Sequence, residues 1–354
     1  MSLPINWDSP WWAIIMGIEH ARIHLETSSV LIRQLPLAEV RELDFLAICP
    51  ENGEPPQNTL IPVPGGVVRL GKSYDNPLYG WDNEYGEYSA DVEDFSASQY
   101  LCSNKEYLEF IDSGGYHSPK YWTEEGWQWK EYLQAEHPRF WHKDANGTFK
   151  LRTITCLIDM PWNWPVEVNY LEAKAFCNWK SEQLGKSIRL PSEEEWYLLR
   201  DRCIKTDQPY WKKAPGNINL EYWASACPVD KFRFDDFYDV IGNVWQWTET
   251  PIYGFPGFMV HPYYDDFSTP TFDNRHNLIK GGSFISTGNE AIRDSRYAFR
   301  RHFYQHAGFR YIESAAPVIV HEELYETETD IIAWCQHDWG SNVCSLENFS
   351  EELL

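Results

Sequence analysis

Three short blocks decide how this chain folds: Gly242-Asn243-Val244-Trp245-Gln246-Trp247-Thr248, Lys280-Gly281-Gly282-Ser283-Phe284 and Gly308-Phe309-Arg310-Tyr311. Between them lie His261-Pro262-Tyr263-Tyr264-Asp265-Asp266-Phe267 and Arg300-Arg301-His302-Phe303-Tyr304-Gln305-His306. Regular helices and sandwich strands rarely need so many Gly, Asn, Trp and Arg residues in short blocks. Glycines placed this way mark backbone at positive φ or in close approach to another chain segment. The blocks therefore predict a domain built largely from ordered loops.

Upstream of the blocks, helix punctuation is plain. Tyr170–Leu184 reads as a helix with Asn169 as N-cap and Gly185 as C-cap. Glu193–Asp201 reads as another, with Ser192 and Glu195 forming a capping box. Ser103–Ile111 is a third, with Asn104 near its cap and Gly114-Gly115 beyond its end. Val67–Gly71 is a strand, and Arg41–Ile48 a short strand or irregular segment. No alternation of strands and helices appears, so the fold class is α+β, with short strands and long loops. At the N-terminus, 11–34 reads as one helix that Pro36 ends, and 51–66, rich in Pro, Gly and Asn, reads as a linker. The expected organisation is 1–50, linker 51–66, main domain 67–315 and acidic tail 316–354.

Composition narrows the function classes. With 354 residues and 16% aromatics, the chain can bury a sizeable core. A net charge of −23 argues against nucleic acid and anionic membrane as partners. From His321 to Leu354 there are nine acidic residues and no Lys or Arg. The eight cysteines show neither a Cys-x-x-Cys pair nor a zinc spacing, which predicts reduced, mostly buried thiols and a cytoplasmic location. No apolar run approaches a membrane span.

Six blocks in order resemble the formylglycine-generating-enzyme (sulfatase-modifying-factor) family, a variant of the C-type lectin fold. They are Pro165–Asn169 leading into Ala173–Trp179, Ile188–Trp196, Gly242–Thr248, Gly281–Ser283 and Gly308–Arg310. The reactive cysteine pair of formylglycine formation is absent from Phe284–Ala307, so that reaction is not expected. The chain more closely resembles the sulfoxide synthase branch, in which a helical DinB-like domain precedes the lectin-like one. The segment His20-Ala21-Arg22-Ile23-His24-Leu25-Glu26 matches that branch's His-x3-His-x-Glu motif, so residues 1–50 are read as a DinB-like remnant. The wording of 261–267, 275–280 and 297–311 resembles the ovothiol-pathway 5-histidylcysteine sulfoxide synthases. It is less like the ergothioneine-pathway branch, which acts on trimethylhistidine.

His20 and His24, four residues apart on a helix, place both imidazoles on one face, a spacing that suits two metal ligands. Glu26 points elsewhere, either supporting a ligand from behind or pairing within the helix. The resemblance implies Fe(II) held by three histidines, O2 as oxidant, and cysteine and histidine as substrates. It implies Tyr264 as the proton- or hydrogen-donating tyrosine, with Tyr263 as the adjacent alternative. Tyr304, Gln305, His306 and Arg310 are expected to bind substrate, guanidinium forks being suited to carboxylates; structural ion pairing is the competing reading for the arginines. Asn243 is a candidate ligand of a structural Ca2+, and Trp245 and Trp247 are expected in the core. The family's first histidine lies upstream of anything here, where His20 is the first. Three explanations stand: a fragment completed by a helical domain in trans, a substitute histidine, or a non-catalytic lectin-like binding module. Cysteine oxidation without C–S coupling is a further reading, and methyl transfer is not expected.

Overall fold

A computed structural model describes residues 4–44, 46–205, 209–319 and 321. The expected tail over 316–354 lies, apart from 316–319 and 321, outside the described residues. In chain order the elements begin with α1 (Trp12–Gln34), β1 (Leu60–Val63), β2 (Gly66–Leu70), β3 (Tyr88–Val92) and β4 (Phe95–Ser98). Then come α2 (Asn104–Asp112), α3 (Glu124–Leu133), β5 (Trp141–Lys143), β6 (Phe149–Arg152) and β7 (Leu157–Asp159). They are followed by α4 (Tyr170–Leu184), β8 (Ile188–Arg189), α5 (Glu193–Cys203), β9 (Arg233–Phe234) and β10 (Phe237–Tyr238). The last are β11 (Trp245–Pro251), β12 (His276–Lys280), β13 (Tyr297–Arg300), β14 (Ala307–Gly308) and β15 (Ile312–Glu313).

The strands form two four-stranded sheets, β1-β4-β15-β8 and β13-β12-β11-β14, and smaller groups β2-β3, β5-β6-β7 and β9-β10. In the second large sheet β11, β12 and β14 each include residues of one of the three signature blocks, and β13 adds the fourth strand. Gln246 pairs with Lys280 on the antiparallel side and with Gly308 on the parallel side. The glycines behave as their spacing predicts. Gly242, Gly281 and Gly282 have φ of 78°, 95° and 79°. A Cβ on Gly308 would come within 2.4 Å of the Val166 carbonyl oxygen, so β14 packs against that backbone only because the side chain is missing.

Local capping fixes the helices. Asn169–Glu172 and Ser192–Glu195 close reciprocal capping boxes, and Gly185 ends α4 at φ 62°. For α2 the cap is Ser103, whose hydroxyl accepts from the Glu106 amide, one residue before the Asn104 expected from sequence. Phe176 of α4 packs between Tyr107 and Phe309, joining two helices to the last signature block.

One sequence expectation narrows to one of its two readings and another shifts. Arg41–Ile48 is irregular, with no strand among its described residues. The stretch 51–66 contains β1, which pairs along its whole length with β4. Residues before it are also tied down: Ala224 N–H donates to the Ala47 carbonyl at 2.7 Å and Trp164 Nε1 to the Glu51 carbonyl at 2.7 Å. A Pro- and Gly-rich run here serves as an edge strand rather than as a free spacer, since prolines are tolerated at sheet edges.

Candidate active site

Helix α1 lies on the main domain with its polar face inward. Its buried residues are Trp12, Glu19, Glu26, Ser29, Val30 and Arg33. The series Trp12, Glu19, Glu26, Arg33 repeats every seven residues and therefore shares one face. The charged groups on it are matched by the domain. Glu19 accepts from Asn289 Nδ2 at 2.9 Å. Glu26 accepts from Trp245 Nε1 (2.7 Å), Ser283 Oγ (2.6 Å) and Ser286 Oγ (2.8 Å). Arg33 donates to Glu167 and, through Nε, to the Arg152 carbonyl at 2.7 Å. Ser29 Oγ lies 2.7 Å from His306 Nε2. Thus the signature blocks at 242–248 and 280–284 both supply donors to Glu26. Of the two roles weighed for it, the intrahelical pair is not the one seen: its carboxylate fixes α1 to the domain from behind the histidines.

That docking sets His20 and His24 at one border of the helix. Their rings meet edge to face with centroids 4.4 Å apart. His20 Nε2 lies 3.2 Å from the Tyr264 hydroxyl. Desolvation first, and then the neighbouring His24, hold His20 below the usual histidine range, while Asp266 acts in the opposite sense. The His20 imidazole is therefore neutral at pH 7 and has a lone pair to offer. Burial, then Asp266, pushes the Tyr264 phenol up. Tyr264 keeps its proton, and with both groups neutral the phenol can donate to His20 Nε2.

The loop that carries Tyr264 is anchored at both ends. His261 stacks on Trp12 at 3.5 Å and shares a hydrogen bond with the Trp7 carbonyl. Phe267 stacks on Trp81 at 3.7 Å, and Ser268 donates to Asp82. Of the two adjacent tyrosines, Tyr263 is 55% exposed, whereas Tyr264 faces His20.

The expected substrate residues are placed differently. His306 is fully buried, with Nδ1 3.3 Å from Glu167 Oε2 and Nε2 on Ser29. Ser29 lies nine residues beyond His20, about 13 Å along the helix axis. Arg310 is 1% exposed and donates to the Ser98 and Tyr238 carbonyls and to Gln246 Oε1. Its fork is used inside the protein, the structural alternative weighed for these arginines. Tyr304 packs edge-on against Phe140, and Gln305 is buried beside it. The structure joins His20, His24 and Tyr264, and sets His306 and Arg310 in the frame around them.

The residues expected to hold a metal lie as follows. Two imidazoles, one held neutral, converge opposite a protonated phenol. Among the described residues no group of three or more His, Cys, Asp or Glu side chains is arranged to hold a metal. Asn243, named for calcium, ties its own turn: Oδ1 accepts from Cys227 N–H, and Nδ2 donates to the Cys227 carbonyl and to Asp239. Trp245 and Trp247 are buried as expected, Trp247 donating to the Val168 carbonyl at 2.9 Å. Cys49, Cys102, Cys156, Cys177, Cys203 and Cys227 are free thiols, the first two, Cys177 and Cys227 being buried. No helix among the described residues is long and apolar enough to cross a membrane.

The chain is 27% identical over 303 residues to a hercynine oxygenase of Mycolicibacterium smegmatis, covering 78% of this chain and 65% of that protein. It is 29% identical over 239 residues to ergothioneine biosynthesis protein 1 of Schizosaccharomyces pombe, covering 66% of this chain and 26% of that protein. The chain thus spans only part of the length of these relatives. Among solved structures, PvdO from Pseudomonas aeruginosa superposes with a TM-score of 0.51 at 15% identity, covering 74% of this chain and 99% of that one. This is a likeness of fold. The sequence family described as sulfatase-modifying factor enzyme 1-like domain matches residues 47–315, which takes in β1 and every signature block, and the chain belongs to that family.

Proposed function

We propose that this chain carries the tyrosine and two of the iron ligands of a non-haem, O2-dependent sulfoxide synthase. Its reaction joins cysteine sulfur to the imidazole of histidine, as in ovothiol biosynthesis, in the cytoplasm. The observation that carries this reading is the 3.2 Å contact between the Tyr264 hydroxyl and His20 Nε2, made across two separate elements. The relatives named hercynine oxygenase and ergothioneine biosynthesis protein support an oxygenase acting on a histidine-type substrate.

His20 and His24 would hold Fe(II), with further donors supplied in trans by a helix packed against α1. Bound iron would supply the means to activate O2 and to bind a thiolate. The protein's own part is orientation and proton control. Glu26 fixes the helix that carries both imidazoles. Tyr264, with its phenol pushed up, holds a proton at Oη facing the reacting side and can donate it there. Trp81 and Phe267, stacked beside Tyr264, exclude water from that side of the loop.

The test is anaerobic loading with Fe(II), followed by O2 uptake with cysteine plus either histidine or trimethylhistidine. Sulfoxide product with histidine supports the ovothiol assignment, and product only with trimethylhistidine replaces it with the ergothioneine type. Iron retention without any thioether or sulfoxide product would sink the synthase reading. The second reading, a non-catalytic lectin-like binding module, draws on the donor set, which among the described residues brings two imidazoles together. It predicts no turnover even when iron is retained.

A further inference from the structure

The loop that carries Tyr264 rests on one short stretch of the chain, Trp81 and the single helical turn Asp82–Glu84 that follows it. Three consecutive residues hold the loop there, each by different means. Trp81 stacks on Phe267 and lies 6.0 Å from Tyr264, ring centre to ring centre. Asp82 Oδ1 accepts from Ser268 Oγ, and Asn83 Nδ2 donates to that same Oγ at 3.0 Å. The Ser268 hydroxyl is therefore used both as donor and as acceptor, and Ser268 is fully buried. The turn is itself fixed from the other side. Arg296, paired with Glu193, donates to the Asn83 carbonyl at 2.7 Å.

Of these three residues Asp82 is the ionisable one. It is 1% exposed, and so deep a carboxyl group is costly unless its oxygens find donors. Oδ1 is used by Ser268, whereas Oδ2 is without a hydrogen-bond partner among the described residues. The His261 N–H completes no hydrogen bond to the carboxyl, yet lies where it favours the charged form. One carboxyl thus faces both ends, His261 and Ser268, of the segment that presents Tyr264. We propose that Asp82 is a positioning residue: by closing the segment 261–268 at its base, it sets the Tyr264 phenol against His20 Nε2. The placement stands on buried contacts within this chain. Its consequence for turnover rests on the reading of Tyr264 as the proton-holding tyrosine. Burial pushes the Asp82 carboxyl up to about 7; Ser268 and the Asn83 and His261 N–H groups act against this, and Glu84 adds to it. A loop that opens to water returns the group to the usual 3.8, so the closed loop keeps a proton that the open one releases. Closure therefore weakens as pH rises from 3.8 to about 7 and levels off above. The ionisable neighbours are Tyr74, Tyr79 and Glu84, each raised by burial, with Lys72 paired to Glu84. On the loop, burial holds the His261 imidazole below the usual histidine range. Asparagine at 82 keeps the oxygen that Ser268 uses and lacks the proton, which separates Asp82 from all of these.

Hydrogen exchange of the iron-free chain reads the closure, and turnover of the iron-loaded chain reads its consequence. Asp82→Ala strands the Ser268 hydroxyl and is expected to lower protection of the 262–268 amides about tenfold, with α4 unchanged. Asp82→Asn should restore that protection and remove its dependence on pH below about 7. Ser268→Ala should reproduce Asp82→Ala, and the double variant should add little, because both changes delete one bond. In the tyrosine ring NMR spectrum, the Tyr264 signal is the one that Tyr264→Phe removes. It should move in Asp82→Ala and return in Asp82→Asn. With iron bound, Asp82→Ala should lower kcat about a hundredfold at unaltered KM and iron retention, the cost of a misplaced reacting group. Unchanged loop protection and an unmoved Tyr264 signal in Asp82→Ala and Ser268→Ala overturn the proposal. So does an additive double variant, or an unaltered kcat once the Tyr264 signal has moved. If Asp82→Ala does not fold, Ser268→Ala decides by the same readings. A wild-type chain that makes no sulfoxide sinks the synthase reading alone, since exchange and the ring signal still judge Asp82.

Discussion

Replacing Glu26 by alanine removes the acceptor that three buried donors share. Trp245 Nε1, Ser283 Oγ and Ser286 Oγ approach it at 2.7, 2.6 and 2.8 Å, and Glu26 itself is 4% exposed. The two serine hydroxyls lie 3.2 Å apart and can satisfy each other once the carboxylate is gone. The indole N–H can only donate, so Trp245 is left stranded, at a cost of about 1–3 kcal/mol. A small cavity and the lost charge-assisted bonds add to this. The expected destabilisation is about 3 kcal/mol for Glu26→Ala, and about 1–2 kcal/mol for Glu26→Gln, which keeps one acceptor oxygen. Guanidinium unfolding measures the loss, and hydrogen exchange localises it: amides of α1 should lose protection before those of α4. The perturbation should also reach the proposed site, because Glu26 sits two residues from His24 on the same rigid helix. A Glu26→Ala chain within about 0.5 kcal/mol of wild type, with α1 amides equally protected, would refute the role of Glu26 as the pin between helix and domain.

Arg310→Ala is expected to cost about 3–5 kcal/mol of stability, because it strands the Ser98 and Tyr238 carbonyls; a change in substrate affinity at unaltered stability would restore the substrate-binding role. Tyr264→Phe should leave iron retention and fold unchanged while lowering sulfoxide yield, and an unchanged yield would remove Tyr264 from the mechanism. Burial, then the nearby Glu26 charge, pushes the Glu290 carboxyl from 4.5 up to about 8. It stays protonated in the folded chain where the unfolded chain ionises, so its contribution is full below pH 4.5 and is lost as pH rises to about 8. The slope approaches 1.4 kcal/mol per pH unit inside that window, and Glu290→Gln should flatten it in denaturation curves; an unchanged slope would refute the assignment. Glu167 behaves in the opposite sense. Burial disfavours its charge, but Arg33 and His306 outweigh that and hold the carboxyl at about 2. Its stabilisation is present above pH 4.5 and is lost as pH falls toward 2. Glu167→Gln should therefore destabilise at pH 6 and lose that effect at pH 2, as urea titrations at the two pH values would report.

Helix ends and the loop-built character of the domain were legible because they depend on neighbours in the chain. Asn169 with Glu172, Ser192 with Glu195, and Gly185 specify their caps within four residues, and Gly242, Gly281 and Gly282 announce positive φ by lacking a side chain. The His20–His24 pair was legible for the same reason, one helical turn being a fixed distance. Helix α3 drew no reading: Gly126 in its first turn and three tryptophans within or next to it give a poor helical signal. Its Thr123 cap and its packing on α4 supply what propensity does not.

The functions of the long-range residues were not legible, because charge and residue type do not say which partner a side chain meets. Arg310 and His306 have the chemistry of substrate ligands, and only burial shows that carbonyls, Ser29 and Glu167 already use them. Glu26 lies 219 residues from Trp245, and no local pattern links a helix carboxylate to an indole and two serines that far away. The sequence by itself determined the family blocks, the caps and the pair of histidines, since each is set by short-range geometry. The tertiary structure alone decided that Tyr264 and not Tyr263 faces His20, and that α1 turns its charges inward. Both depend on how a buried polar face finds its partners, and that is settled only when distant segments pack.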